Sequence, residues 1–167
     1  MEFQEYVRAN RPALMRFATV LTGRTWLAGD LVSDVLGRAF ERWESIGAMA
    51  HPHAYVRRMV VNEYLSWRRR FARVVHGADG HVPERAVADG TEAHAERDAM
   101  IALLARLPRR QRAAIVLRYY VGLSDAEAAS ELGVGESTVR SSISRALGAL
   151  RIDLARSDHQ PVPVESR

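Results

Sequence analysis

The chain has 167 residues, 47% of them hydrophobic, which is enough for one ordinary domain or two small helical ones and too much for a disordered chain. All 24 basic residues are arginine, set against 20 acids, giving a formal charge of +4 and a pI near 10.1 that favour a polyanionic partner. The absence of cysteine excludes disulfides, thiolate zinc sites and cysteine nucleophiles. Met1-Glu2-Phe3-Gln4-Glu5 lacks the basic start and apolar stretch of a signal peptide, and no apolar run reaches membrane-spanning length, so a cytoplasmic protein without membrane insertion is expected.

Helical periodicity dominates the first half. Phe3, Tyr6, Val7, Leu14, Phe17, Ala18 and Leu21 form one apolar stripe, with Pro12 expected to kink or restart the helix and Gly23 to close it. Ala28, Leu31, Val32, Val35, Leu36, Ala39, Phe40 and Trp43 repeat at i, i+3, i+4 and i+7, which predicts a helix with one buried face. A third helix is predicted from Pro52, with Val56, Met59, Val60 and Tyr64 inward, running into Trp67-Arg68-Arg69-Arg70.

From His76 to about Glu96 the periodicity stops. Gly77, Gly80, Pro83 and Gly90 punctuate the segment, and its five acids against one arginine read as a flexible acidic linker. Net charge is +5 over 1–75, −4 over 76–96, +4 over 97–156 and −1 over 157–167, so an acidic tether joins two basic modules and a frayed tail follows. No strand pattern and no internal repeat interrupts the helices. Met100, Leu103, Leu104 and Leu107 form a short stripe, and Pro108 opens a helix with Ala113, Val116, Leu117 and Tyr120 inward.

Residues 122–150 carry tightly spaced helix punctuation. Gly122 ends one helix, Ser124-Asp125-Ala126-Glu127 is a capping box, and Ala128 and Ala129 allow close packing. Gly133 supplies a turn that Val134 plugs, and Glu136 opens a last helix with Val139, Ile143, Ala146, Leu147 and Leu150 inward. This is helix-turn-helix spacing. The outward face of the last helix presents Ser137, Thr138, Arg140, Ser141, Ser142, Ser144 and Arg145, hydroxyls and guanidiniums that can reach phosphates and base edges in a major groove. Arg140 is the first choice for reading bases, with Arg145 and Arg118 assigned to the DNA backbone.

A helix-turn-helix alone suits many regulators, and the first module discriminates among them. Ala28-Gly29-Asp30-Leu31-Val32-Ser33-Asp34 followed by Arg38-Ala39-Phe40 resembles the polymerase-binding segment of sigma-70 family proteins. Pro52-His53-Ala54-Tyr55-Val56-Arg57-Arg58-Met59-Val60-Val61-Asn62 is similar to the segment that melts and reads the −10 element. Leu107-Pro108-Arg109-Arg110-Gln111-Arg112, with Leu123-Ser124 through Leu147, resembles the domain that reads the −35 element. The resemblance covers both modules in order and is to the extracytoplasmic-function (ECF) group of actinobacterial type. It departs from the family pattern at Gly29, where an acid is usual, at Tyr55, where tryptophan is frequent, and at Ser142, where arginine is common.

What the resemblance implies is an all-α protein of two small helical domains joined by a flexible linker: a region 2 bundle over 1–75 and a region 4 helix-turn-helix over 97–156. It implies a transcription initiation factor, not an enzyme, that needs no cofactor or metal. Its implied partners are promoter DNA, core RNA polymerase through the clamp of the largest subunit and the flap of the second, and an anti-sigma factor. Asp30, Leu31, Val32, Asp34, Arg38 and Phe40 are the implied polymerase contacts, and Tyr55, Arg57, Arg58, Asn62, Trp67, Arg68 and Arg69 the implied −10 contacts. Aromatic rings there would stack on unpaired bases, the amide would bond a base edge and the guanidiniums would hold phosphates.

The residues by themselves leave alternatives open. Asp30 and Asp34 can simply pair with Arg38 along the helix, and aromatic residues at helical spacing belong to cores more often than to binding sites, a role assigned here to Tyr64. The histidines, His51 and His53 among them, lack ligand spacing and read as surface residues. One rival function is a stand-alone regulator that binds operators as a dimer. Another is a DNA-targeted recombinase or nuclease, against which stands the absence of a nucleophile–base pair or acidic metal cluster in the sequence.

Overall fold

The computed structural model describes residues 1–66 and 92–158, and every regular element among them is helical. The first, α1 (Phe3–Thr22), buries Tyr6, Leu14, Phe17, Ala18 and Leu21 and runs through Pro12 without a break. The helix does not restart there, because buried side chains before and after Pro12 share one face and lock both halves onto the same core. Pro12 itself stands on the exposed side, where solvent can serve the backbone carbonyl it leaves unbonded. Gly23 ends the helix at φ 76°, a left-handed conformation open to glycine, and its N–H bonds the Thr19 carbonyl at 2.8 Å.

Helix α2 (Thr25–Glu41) packs Ala28, Leu31, Val32, Val35 and Ala39 against α1 and α4 (Pro52–Ser66), whose inward residues are Val56, Val60, Val61 and Tyr64. Two residues of the predicted α2 stripe fall elsewhere. Trp43 belongs to a separate short helix, α3 (Trp43–Gly47), from which its indole donates to the Met1 carbonyl at 3.0 Å and packs on Tyr6 with centroids 4.6 Å apart. Phe40, expected inward, is 63% exposed and leans on Phe3 at 5.1 Å, because no third helix among the described residues covers that end of α2.

The second half opens with α5 (Glu92–Ala105), so residues 92–96, read as tether, are helical. The rest of the tether, Trp67 to Arg70, and residues 159–167 of the tail lie outside the described residues, whereas Ser157 and Asp158, read as frayed, continue the last helix. Helix α6 (Arg109–Ile115) runs into a π-helical turn over Val116–Val121 that Gly122 closes at φ 85°. The extra residue per turn shifts the helical phase. Leu123 N–H then bonds the Leu117 carbonyl, Val121 turns inward, and Tyr120, predicted inward, is left 47% exposed.

Helix α7 (Asp125–Leu132) begins with the predicted capping box. Ser124 Oγ accepts from Glu127 N–H at 3.2 Å, and Glu127 accepts from Ser124 N–H at 2.8 Å and from its hydroxyl at 2.7 Å, bonds that hold the Glu127 carboxyl below its usual pKa. Gly133, at φ 65°, turns the chain into α8 (Glu136–Asp158), whose Val139, Ile143 and Ala146 are buried on α6 and α7. No helix among the described residues is long and apolar enough to cross a membrane.

The two halves share a seam that arginines stitch. Arg112 on α6 donates to the Leu21 carbonyl at 2.8 Å, in the last turn of α1, as well as to the carbonyls of Leu107 (3.2 Å) and Ala105. Arg109 reaches the Tyr64 carbonyl at 3.3 Å, in the last turn of α4, and lies 5.6 Å over the Tyr64 ring. Each cation thus meets the negative end of a helix from the first half.

Candidate nucleic-acid interface

On α8 the expected outward set stands outward: Ser137, Thr138, Arg140, Ser141, Ser144 and Arg145 are exposed, and the buried opposite face fixes their direction. Arg140 sits one turn into the helix, 3.3 Å from Glu136 and 3.8 Å from Asp125. Exposed pairs of this kind are worth little, so the guanidinium can exchange them for a phosphate or a base edge. Ser142 differs from its neighbours. It is half-buried, and with Thr138 and Leu65 of α4 it lines a small cleft of about 20 Å³. Arg118 donates to the Leu123 carbonyl at 3.0 Å and pairs with Asp125 at 3.4 Å, tying the π-helical turn to the start of α7.

The α4 face holds a second group. Tyr55, Met59 and Asn62 line a polar pocket of about 430 Å³ with Arg38, Arg42 and Glu63. Arg38 donates to the nearly buried Glu63 carboxylate at 2.6 Å, so this arginine of the implied polymerase set sits in the α4 pocket instead. A ring and a thioether for stacking and an amide for edge hydrogen bonds suit an unstacked base, and Arg42 beside them can meet its phosphate, with Glu41 and Glu63 also in the lining. Arg42 was missed by sequence reasoning because it follows α2 rather than lying on α4. Arg58 is exposed on α4, whereas Arg57 is not free for DNA in this arrangement. Its Nε donates to both oxygens of Glu131 on α7 at 3.1 and 3.2 Å, and its Nη2 bonds the same carboxylate. Trp67, Arg68 and Arg69 lie outside the described residues.

Of the implied polymerase contacts, Asp30 and Asp34 are exposed on α2, but Leu31 and Val32 are 0% and 1% exposed in the core and cannot touch a partner. The amphipathic stripe that defines the helix claims them first. Trp26, one turn before Asp30 and 44% exposed, supplies apolar surface on that ridge, and its position at i−4 was the signal available in the sequence. In the second half an apolar groove of about 590 Å³ lies between α5, the π-helical turn and α8, lined by Met100, Ile101, Tyr119, Tyr120 and Leu147, with Val20 of α1 as one wall.

His53, read as a surface residue, is half-buried, and its Nδ1 is hydrogen-bonded to the Tyr6 hydroxyl at 3.2 Å. Burial pushes the Tyr6 pKa up to about 12, so that hydroxyl stays protonated. Burial, reinforced by nearby Arg57, pushes the His53 pKa below 6.5. Below pH 6.5 the unfolded chain therefore binds the extra proton more readily than the folded one. The stability this histidine contributes is complete above that pH and falls as the pH drops toward its folded value. Ring resonances followed by NMR are expected to titrate below 6.5, and His53→Gln should flatten the decline of the urea midpoint between about pH 7 and pH 5.

Comparison with known proteins matches residues 6–74 to the family model for sigma-70 region 2 and residues 97–150 to the model for sigma-70 region 4. The chain is 36% identical over 158 residues to the RNA polymerase sigma-E factor of Streptomyces coelicolor, covering 95% of this chain and 89% of that one. It is 37% identical over 147 residues to the ECF RNA polymerase sigma factor SigL of Mycobacterium tuberculosis, covering 84% and 82%. Among solved structures it is similar to the sigma factor RpoE in complex with the anti-sigma factor NepR from Bartonella quintana, with a TM-score of 0.74, 29% identity and coverage of 92% and 96%. CnrH in complex with the cytosolic domain of CnrY shares the fold at a TM-score of 0.62.

Proposed function

Because the chain belongs to the sigma-70 family, in its extracytoplasmic-function group, we propose that it directs core RNA polymerase to promoters by holding a −35 and a −10 element with two separate modules. The observation that carries this reading is the order of the two matched regions over nearly the whole chain, each with a DNA-competent face. Residues 97–156 set α8 into the major groove of the −35 element, and residues 1–75 take up the melted −10 strand in the pocket of Tyr55, Met59 and Asn62. Residues 76–96 are the tether and 157–167 the tail. The reaction itself is the polymerase's, and the chain works beside it in the cytoplasm.

Docking on the enzyme uses two surfaces. The ridge of Trp26, Asp30 and Asp34 faces the clamp of the largest subunit, and the apolar groove of Met100, Tyr119 and Tyr120 takes an apolar element of the flap. The similarity to a sigma factor solved with its anti-sigma factor supports an inhibitory partner of that kind. The test is transcription in vitro with bacterial core polymerase and a promoter library, with and without the chain. Transcripts that depend on the chain are expected, and their absence, together with failure to bind core, removes the assignment. Asp30→Arg reverses a charge on the exposed ridge, touching no core residue. It is expected to lower core binding at least tenfold in a pull-down while leaving helix content unchanged, and unaltered binding removes Asp30 from the interface.

A further inference from the structure

A buried carboxylate and a half-exposed guanidinium meet in the wall of the α4 pocket. Tyr55, Met59, Asn62 and Ser66 follow one stripe of α4 at i, i+4, i+7 and i+11, and all four border the same space of about 430 Å³, within the range of about 300–1,000 Å³ typical of small-molecule sites. Glu63, beside Asn62 in the chain, also lines it, yet is only 7% exposed, and its carboxylate accepts from Arg38 Nη2 of α2 at 2.6 Å. The Arg38 side chain is 47% exposed, and the rest of its guanidinium fork has no partner among the described residues.

An arginine left to itself samples many rotamers and must be ordered by the ligand it binds. Arg38 is ordered in advance. Glu63 fixes one edge of the planar fork, and because its carboxylate offsets the charge, the pair has little net attraction for a phosphate. Glu41 in the same lining weakens that attraction further. What the fork retains is direction: parallel N–H donors in the same pocket as the Asn62 amide. Such donors match a base edge with two adjacent acceptors. Guanine offers that edge at N7 and O6, and unpaired cytosine at N3 and O2, whereas the corresponding edges of adenine and thymine alternate acceptor and donor. Resting on the promoter reading above, we infer that Arg38, aimed by Glu63, reads the unstacked −10 base in the α4 pocket and selects guanine or cytosine. Glu63 is then a positioning residue that acts through Arg38, and Arg42 is left for the phosphate.

The test uses holoenzyme, formed from the full chain and bacterial core polymerase, on templates carrying each of the four bases at every −10 position. The parent is expected to prefer guanine or cytosine at one position by about 5- to 150-fold, the discrimination of one bidentate contact, and the favoured base tells which edge is read. Arg38→Ala should reduce that preference to about twofold or less at that position alone, and Arg38→Lys should not restore it, because an ammonium has no fork. Glu63→Gln should reduce it in part, and no change there overturns the positioning role. Templates with 7-deazaguanine or 3-deazacytosine at the position remove one acceptor without touching the protein. They should cost the parent a comparable factor, and they decide the matter where a variant fails to fold. Loss spread evenly over all positions, with a shallower salt slope, would make Arg38 a phosphate contact. A lower urea midpoint with unaltered preference would make the pair a strut between α2 and α4, and weaker core binding with unaltered preference would return Arg38 to the polymerase interface. Each of these overturns the inference while chain-dependent transcription stands, as does a parent that favours adenine or thymine throughout or ignores the deaza bases. A parent that yields no transcript on any template rejects the promoter reading itself, and the inference falls with it.

Discussion

Replacing Arg140 with alanine is expected to weaken initiation roughly 5- to 150-fold at promoters with the preferred −35 sequence, the equivalent of about 1–3 kcal/mol for a bidentate base contact. The side chain is exposed, it projects from the first turns of α8, and nothing buried depends on it, so folding and core binding should be unaffected. Its present partners strengthen the expectation. Glu136 and Asp125 hold the guanidinium at 3.3 and 3.8 Å, a cheap arrangement to exchange when DNA arrives. In the alanine variant Asp125 keeps Arg118 at 3.4 Å, but Glu136 faces the DNA without its guanidinium, which adds repulsion to the lost contact. A library of −35 variants separates the two kinds of contact. A loss concentrated at one base position identifies base reading, and an equal loss on every sequence, with a shallower salt slope, identifies a phosphate contact.

The helix-turn-helix was legible in the sequence because its rules are local. Gly122 and Gly133 take the left-handed conformations their positions demand, and Ser124 and Glu127 bond each other across three residues. The inward faces of α1, α2 and α4 were legible for the same reason, since periodicity is read within one helix. What failed depended on neighbours that a single helix does not reveal. Phe40 fits the α2 stripe, yet no third helix among the described residues covers that end. Tyr120 fits the stripe of α6, yet the π-helical turn shifts its phase. Leu31 and Val32 resembled a partner-binding motif, but one residue cannot both fill the core and touch polymerase. The arginines of the seam lay furthest from view. Sequence reported their charge, whereas Arg112 finds its partner 91 residues away and Arg57 finds one 74 residues away.

Arg112→Met is expected to be the most destabilising of these changes, by about 3 kcal/mol, because it removes a buried donor and strands its acceptors. The methionine fills much of the same space, so the cost is not chiefly a cavity. It lies in the carbonyls of Leu21, Ala105 and Leu107, all served by one guanidinium that is only 7% exposed. In a chain of this size that corresponds to a fall in Tm of roughly 6–12 °C, checked by urea unfolding at fixed temperature. Arg112→Lys separates charge from geometry. An ammonium keeps the attraction to the negative end of α1, but it cannot reproduce a rigid fork that serves Leu21 on one side and Ala105 and Leu107 on the other. Lysine should therefore recover less than half of the loss. Full recovery would show that charge at the helix end is what matters, whereas no recovery would show that the fork alone holds α6 to α1.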